Sequence, residues 1–284
     1  MKFAPALVFA LMLGGATPVG ATVILPPSNP TTNLRPIPNF LASGTCQLTQ
    51  TGAPCTNPCV RLREIGLNLR PAFPIFTNAP TCTAYVVRSL DQARAREGLV
   101  ALTLPTNWYR LTPQEQLFVL TDLERTARGL PPYLGLNRAL YAEAQSAAIR
   151  QVDPSMAPGF RVGRDRQHVD GIGATFATGY TTLEADFVWM YDDGWGGNRS
   201  TTANVACTSA LAPGCWAHRD QLLGSDSPYN AGVGLRCTTC EMGTGFAVEH
   251  GDGNFTTLIE LPAGRAPPMY FTWATNVVPF LPAT

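Results

Sequence analysis

The segment that decides the fold is Thr181–Gly224, with the sequence TTLEADFVWMYDDGWGGNRSTTANVACTSALAPGCWAHRDQLLG. It predicts a short amphipathic helix that carries Glu184 and Trp189 and ends near Tyr191. A cysteine-containing loop follows, and a second short helix begins at His218. A carboxylate, an indole and an imidazole can meet at one pocket in such an arrangement, so this segment also predicts the candidate chemical site.

Longer helices are predicted upstream of this segment. Thr112-Pro113-Gln114-Glu115 is a full start signal, with threonine as N-cap, proline in the first turn and glutamate three residues after the cap. The apolar face of this helix consists of Leu117, Phe118, Leu120 and Leu123. Gly129 and the Pro131-Pro132 pair end it.

Two further helices flank that one in the sequence. The predicted helix Asn137–Val152 has Leu140, Ala144 and Ala148 on one side, and its small alanines permit close packing against a sheet. A shorter helix, Ser89–Arg96, is predicted with its first residue as the N-cap.

Strand patterns replace helical ones in the last third of the chain. The predicted strands are Ala231–Cys237, Gly245–His250 and Phe255–Leu261, with a hairpin turn at Gly251–Asn254. The apolar segment Met269–Phe280 is predicted to be extended and to add an edge strand. Helices that precede strands argue for an α+β domain, with the helices packed on a mostly antiparallel sheet.

The N-terminus has the features of a secretory signal peptide. Lys2 precedes the apolar run Ala6–Leu13, and Val19-Gly20-Ala21 is a small-residue cleavage site. We therefore expect cleavage after Ala21 and a secreted, extracellular protein. The apolar run is too short to cross a bilayer and no later stretch is apolar enough, so we expect no transmembrane segment.

The cysteines predict disulfide bonds. All eight follow the cleavage site: Cys46, Cys55, Cys59, Cys82, Cys207, Cys215, Cys237 and Cys240. An even number in an exported chain indicates disulfides rather than thiolate-bound metal. Local spacing suggests the pairs Cys207–Cys215 and Cys237–Cys240 and two bridges among the first four, with zinc at Cys237 and Cys240 as the alternative. The Pro-rich residues 22–85 then form an irregular, disulfide-stapled extension.

Composition argues against several classes of function. The formal net charge is +0 at pH 7, which makes nucleic acid an unfavourable partner. Lys2 is the only lysine, so the cleaved chain has none for a Schiff base. The sequence has no G-x-S-x-G, H-E-x-x-H or P-loop motif, and these are the marks of common hydrolases and nucleotide-binding enzymes.

Five ordered motifs between about Ser89 and Leu261 resemble the CAP superfamily, the SCP-like group that includes cysteine-rich secretory proteins, antigen 5 and plant pathogenesis-related proteins of group one. Their positions are Leu123–Leu134 (N-x-x-R…G-L-P-P-L), Leu140–Ala148 (the Ala-rich second helix), Gly179–Met190 (EAV-x-x-W-M), His218–Leu223 (G-H-R-x-N-I-L), and Ala231–Gly234 with Gly245–Glu249 (the last two strands). This resemblance implies an α-β-α sandwich with a central cleft. The chain then divides into a signal peptide (1–21), an extension (22–85), a CAP-like domain (86–262) and a C-terminal tail (263–284).

The resemblance also implies a set of cleft residues. Family members often place two histidines and two acids there, and some of them bind a divalent metal. His218, Asp192 and His168 match three of these positions, whereas Ala174 stands where the family has a glutamate. Two imidazoles and one carboxylate with an open fourth position are a permitted zinc arrangement, so a divalent metal such as zinc is allowed but not required.

Each of these residues also has a purely structural interpretation. His218 fits a buried histidine bonded to a backbone group as well as a cleft residue, and His168 fits an exposed loop. Glu184 is a candidate general acid, but Thr181-x-x-Glu184 is also a capping box. Trp189 is expected to be a core aromatic that fixes the cleft wall.

The sequence therefore favours a secreted CAP-like protein that binds a ligand or partner, such as a lipid or a cell-envelope component, through its cleft rather than an enzyme. One alternative is a metal-dependent hydrolase in which His168, Asp192 and His218 hold a metal that activates water, with Glu184 as acid or base. Another is a structural protein of the envelope that uses the extension as an anchor.

Overall fold

The computed structural model describes residues 80–154, 161–162, 167–179, 181–192, 217–224, 236–249, 252–262 and 268–283. The predicted signal peptide, the extension before residue 80, the Cys207–Cys215 pair and residues 231–235 of the predicted strand Ala231–Cys237 lie outside these residues. Arg236 and Cys237, the last two residues of that predicted strand, are described and do not lie in a strand. The backbones of His168 and Asp192 are described but their side chains are not.

The described helices are α1 (Pro80–Arg96), α2 (Pro113–Ala127), α3 (Arg138–Arg150), α4 (Thr182–Phe187) and α5 (Ala217–Leu223). A π-helical turn, Val188–Asp192, continues directly from α4. Another π-helical turn, Trp273–Val277, is followed by a 3-10 turn at Val278–Phe280, and a further 3-10 turn lies at Trp108–Arg110.

The described strands form one six-stranded sheet. They are β1 (Gly135–Asn137), β2 (Arg161–Val162), β3 (Gln167–Gly179), β4 (Glu241–Glu249), β5 (Asp252–Pro262) and β6 (Met269–Thr272). Their order across the sheet is β2-β3-β5-β4-β1-β6. All neighbours pair antiparallel except β1 and β4, which are parallel. The expected α+β class with a mostly antiparallel sheet is therefore confirmed.

The helices lie on both faces of the sheet. Helix α3 packs closely on β4, where a Cβ added at Gly243 would overlap Leu140. Leu140 and Ala144 form a small cluster with Leu258 of β5 on that face. The larger core lies on the other face and joins α1, α2, α4 and α5 to side chains such as Phe255. The described part of the chain thus has α-β-α layers.

The helix boundaries of α2 and α3 follow the local chemistry of the sequence. Thr112 accepts a hydrogen bond from the backbone of Glu115, and the Glu115 side chain accepts one from the Thr112 backbone, so the expected capping box is present. Gly129 has φ 71° just after α2, a left-handed conformation that glycine adopts at little cost. Asn137 caps α3 by accepting from the backbone of Ala139 at 2.7 Å.

Three predictions about local structure are wrong. Helix α1 begins at Pro80, and Ser89 is a buried mid-helix residue whose hydroxyl donates to the Tyr85 carbonyl at 3.3 Å. His168 lies in β3 rather than in a loop, since the small residues of that strand give little alternation of polar and apolar side chains. Asn254 belongs to β5 and is 2% exposed, so it is not part of the predicted hairpin turn.

The two ends of the described region extend the predicted domain. Cys82 is buried in the main core, so the helix that contains it packs as part of the domain although it begins before residue 86. Strand β6 is an edge strand, as expected for the segment after Met269. The residues that follow it, 273–280, form helical turns and not extended chain.

Candidate functional site

Helix α4 and its π-helical turn are fixed against β3. Thr181 caps α4 by accepting from the backbone of Glu184 at 3.0 Å. Trp189 is 1% exposed, as predicted for a core aromatic, and its indole donates to the Phe176 carbonyl of β3 at 3.1 Å. π-helical turns inside helices often occur at functional sites. This one ends on Asp192.

Helix α5 packs on the same part of the sheet. The Gln221 side chain accepts from the Ala174 backbone at 3.2 Å. A Cβ added at Gly173 would lie 2.8 Å from the Gln221 carbonyl oxygen, so only glycine permits this approach. His218, in the first turn of α5, is half-buried with Nδ1 shielded from solvent. These contacts hold the histidine at the junction of α5 and β3.

Arg219 joins α5 to the π-helical turn. Its Nε donates to the Met190 carbonyl at 2.6 Å, and its guanidinium lies 5.0 Å from the ring centroid of Tyr191. Arg219 follows His218 in the chain, and Met190 precedes Asp192 by two residues. The bond therefore brings the backbone segments of two predicted site residues together.

Arg219 is one end of a buried network of alternating charges. It pairs with Glu97, which also pairs with Arg128 at 2.8 Å. Arg128 contacts Glu124 at 2.5 Å, and Glu124 contacts Arg94 at 2.7 Å. All five side chains are at most 3% exposed. The network links α1, α2 and α5, so it positions the helix that carries His218.

The electrostatics of this network favour its charged form. Burial alone would raise the pKa of Glu124, but Arg94 and Arg128 outweigh burial and lower that pKa to about 2. The Tyr191 hydroxyl donates to Glu124 at 2.9 Å. Burial and the nearby Glu124 carboxylate raise the pKa of Tyr191, so its phenol stays protonated and serves as a donor.

Asp186 of α4 lies next to this network and behaves differently. It is 1% exposed, and neither carboxyl oxygen has a hydrogen-bond partner among the described residues. Burial and the nearby Glu124 raise its pKa well above the ordinary value, although three arginines oppose that shift. Sequence reasoning missed the network and Asp186. The available signal for one link of the network was the Glu124–Arg128 pair, which has helical i,i+4 spacing at the end of α2.

The structure places the predicted site residues on three neighbouring elements. His168 lies in β3 opposite Arg161 of β2, Asp192 ends the π-helical turn, and His218 lies in α5. Since the side chains of His168 and Asp192 lie outside the described part, their convergence with His218 stays a prediction. Glu184 is 5% exposed within α4. Among the side chains that are described, no three His, Cys, Asp or Glu groups could hold a metal ion, so His218 alone does not form the expected metal site.

The three cysteines among the described residues are disulfide-bonded. Cys237 and Cys240 lie at disulfide distance from each other, as expected for that pair. Cys82 is also disulfide-bonded, and its partner lies outside the described residues. No helix of the described residues is long and apolar enough to cross a membrane.

A separate cleft of about 380 Å³ opens on the face of the sheet that carries α1 and α2. It lies between the end of α2, the loop after α1 and the C-terminal residues, and its walls include Val100, Leu102, Leu123, Leu281 and Pro282. None of the predicted site residues lines it. No sequence pattern predicts this cleft, because its walls come from segments that are far apart in the chain.

Comparisons with known proteins find few similarities to this chain. No protein-family model matches the chain, and no curated protein matches it significantly. Among solved structures, the chain is similar to venom allergen-like protein 4 of Schistosoma mansoni. That likeness covers 57% of this chain and 96% of the other, with a TM-score of 0.32 and 15% identity. This TM-score is too low to establish a shared fold, so the fold is assigned from the layers and the sheet alone.

Proposed function

We propose that this chain is an exported CAP-like protein that binds an extracellular ligand or partner through the groove beside His218. The observation that supports this proposal is the Arg219–Met190 hydrogen bond, which joins the third and fourth of the CAP-like motifs beside His218. The motif elements α2, α3, α4 and α5 belong to one α-β-α unit, as a CAP-like domain requires. The disulfide-bonded cysteines support the extracellular setting.

The local chemistry favours binding over catalysis. CAP family members place a glutamate where this chain has Ala174, and the residue that contacts Ala174 from α5 is Gln221. Its amide is neutral at every pH of interest and cannot act as an acid, a base or a strong metal ligand. The position thus contributes packing and a hydrogen bond rather than charge.

The experiment that tests this proposal follows the imidazole signals by NMR while a soluble short-chain phosphatidylcholine is added below its micelle concentration. The variant His218→Gln identifies the His218 signals, and His250→Gln serves as the matched control. Lipid binding at the groove is supported if the His218 signals shift saturably in the wild type and shift in the same way in His250→Gln. Absence of any shift up to the solubility of the lipid rules out a lipid ligand there.

A metal-dependent hydrolase is the second proposal, favoured by the π-helical turn that ends on Asp192 next to α5. Its donors would be His168, Asp192 and His218, of which the structure describes only the last side chain. Elemental analysis of the purified protein, and of His218→Ala, tests this function. Stoichiometric zinc that is lost in the variant supports the hydrolase, whereas metal-free protein in zinc-containing buffer excludes it.

Export and anchoring are tested on the intact precursor. N-terminal sequencing of the mature protein is expected to begin at Thr22, because cleavage is predicted after Ala21. A start at Met1 in cytoplasmic protein would refute export. Deletion of residues 22–79 should release the protein into the medium if the extension anchors it in the envelope, whereas unchanged retention would refute that role.

A further inference from the structure

Two glutamates face each other across the centre of the sheet. Glu241 of β4 and Glu260 of β5 are direct partners in the antiparallel register, so their side chains project from the same face. Each is 1% exposed. Like charges directly opposite in a sheet are destabilising, and burial away from water increases the cost. The pair therefore requires an explanation.

Hydrogen bonds satisfy only one of the four carboxyl oxygens. Asn137 donates from Nδ2 to Glu241 Oε2 at 2.6 Å, while its Oδ1 accepts from the Ala139 backbone at 2.7 Å. That second bond fixes the orientation of the amide, because only the nitrogen can then point to Glu241. Glu241 Oε1 and both oxygens of Glu260 are buried with no hydrogen-bond partner among the described residues.

Among the described residues, the elements around the pair bring no compensating positive charge. Helix α3 contributes Glu143, strand β4 contributes Glu241, and strand β3 places Gly171 opposite Glu260. Among the described residues, no arginine forms an ion pair with either glutamate. Two full negative charges at this place would be strongly unfavourable, as in other buried carboxyl pairs.

We propose that Glu241 and Glu260 hold one proton between them in the folded protein and act as a pH-sensitive latch between β4, β5 and the first turn of α3. The Asn137 amide donates to Glu241 and favours the charge there. Glu260 carries the proton. Because Asn137 also caps α3, loss of the proton is transmitted to the start of that helix as well as to the two strands.

The electrostatic setting agrees with this assignment. Burial, followed by the negative charges of Glu143 and Glu241, raises the pKa of Glu260 to about 8. Burial also raises the pKa of Glu241, and the hydrogen bond from Asn137 opposes that rise. The ordinary value for a glutamate in the unfolded chain is 4.5.

The direction of the pH effect follows from these values. Between pH 4.5 and about 8 the folded protein keeps a proton on Glu260 that the unfolded chain releases. The folded state then binds more protons, so stability falls as the pH rises across that window, by up to about tenfold in the folding equilibrium constant per pH unit. Above the upper limit the loss from this group is complete.

The test compares urea unfolding of the wild type with Glu260→Gln at pH 5 and pH 7.5. The neutral amide of the variant cannot lose a proton and can donate to Glu241. The ratio of the variant's folding equilibrium constant to that of the wild type should therefore rise about a hundredfold from pH 5 to pH 7.5. Asp153→Asn, an exposed change from carboxyl to amide, is the matched control and should show no such gain. An equal pH dependence in Glu260→Gln and the wild type overturns the proposal.

A second measurement does not depend on unfolding. The infrared difference spectrum, wild type minus Glu260→Gln, should show a protonated carboxyl band at pH 7 that disappears as the pH rises past about 8. The subtraction removes the contribution of other buried carboxyl groups such as Asp186. Amide exchange at Ala139 should accelerate over the same pH range beyond its intrinsic increase, because the latch also holds the cap of α3. A wild-type band identical to that of the variant at pH 7 would refute the shared proton.

Discussion

Arg219 shows how one side chain can position a neighbouring one. It is fully buried, and its guanidinium donates to the Glu97 carboxylate and to the Met190 carbonyl. A buried charge of this kind is tolerated only when it is paired and hydrogen-bonded. His218 sits beside it on the more exposed side of α5. The arginine thus fixes the helix that carries His218.

Replacement of Arg219 should therefore unfold the junction between α5 and the π-helical turn. Arg219→Met leaves Glu97 with Arg128 alone and frees the Met190 carbonyl, so we expect a loss of about 3–5 kcal/mol in the free energy of unfolding. Urea denaturation measures it. Arg150→Met is the control, since Arg150 is exposed on α3 and should change stability by less than about 0.5 kcal/mol. Equal small losses in both variants would show that the network does not hold α5.

Glu124 gives a pH prediction of the opposite sign to that of Glu260. Its pKa falls from 4.5 to about 2 in the folded protein, so its stabilising contribution is present above pH 4.5 and is lost as the pH falls towards 2. That difference corresponds to about 3 kcal/mol. Urea denaturation of Glu124→Gln should show it less stable than the wild type at pH 6, with the gap closing towards pH 2.5. A gap that stays constant across this range would contradict the ionised Glu124.

Individual residues were predictable where their signal is local. The caps at Thr112 and Thr181 and the disulfide Cys237–Cys240 depend on neighbours within three positions, and all are present. The buried pairs Arg94–Glu124 and Glu241–Glu260 join segments that the fold brings together. Apart from the i,i+4 spacing of Glu124 and Arg128, no local pattern marks these charged residues as buried, since charged side chains are usually solvated.

At the level of elements, α3 approaches β4 very closely. A Cβ added at Gly245 would overlap the Ala144 carbonyl, and one added at Gly243 would overlap Leu140. The sequence predicts the helix side of this contact, because the small alanines of α3 permit close packing on a sheet. The matching glycines on β4 lie about a hundred residues later. The sequence predicts Gly245 as the first residue of a strand and leaves Gly243 in the preceding loop, whereas both belong to β4.

Gly245→Ala should accordingly separate α3 from the sheet. The added methyl group meets backbone atoms on the helix and cannot be accommodated by a side-chain rotation, so we expect a loss of about 1–3 kcal/mol. Thermal unfolding followed by circular dichroism measures it. Ser146→Ala, an exposed change on the same helix, is the control and should have little effect. A Gly245→Ala protein as stable as the control would mean that the helix does not approach β4 so closely.

Strand β3 explains why the elements near the site were harder to predict than the helices. Its sequence, QHVDGIGATFATG, is rich in glycine and alanine and has a register shift between Gly171 and Gly173. A bulge breaks the two-residue period on which strand prediction depends. His168 was consequently assigned to a loop. The glycines that obscured the strand are also what lets α5 approach it at Gln221.

For the whole molecule, the order of elements was enough to predict the class but not the layers. Helices followed by strands predicted an α+β protein, and the CAP resemblance, rather than any periodicity, supplied the α-β-α arrangement. The structure has α3 on one face and the remaining described helices on the other. The parallel pairing of β1 with β4 was not predictable, since β1 has only three residues.

The central claim is that His168, Asp192 and His218 border one groove whose shape Arg219 maintains. A crystal structure of residues 22–284 at neutral pH tests it most directly, through the distances between the two imidazoles and the Asp192 carboxylate. We predict that all three side chains line the same opening between β3, α5 and the π-helical turn. Imidazoles of His168 and His218 on opposite faces of the sheet would contradict the account.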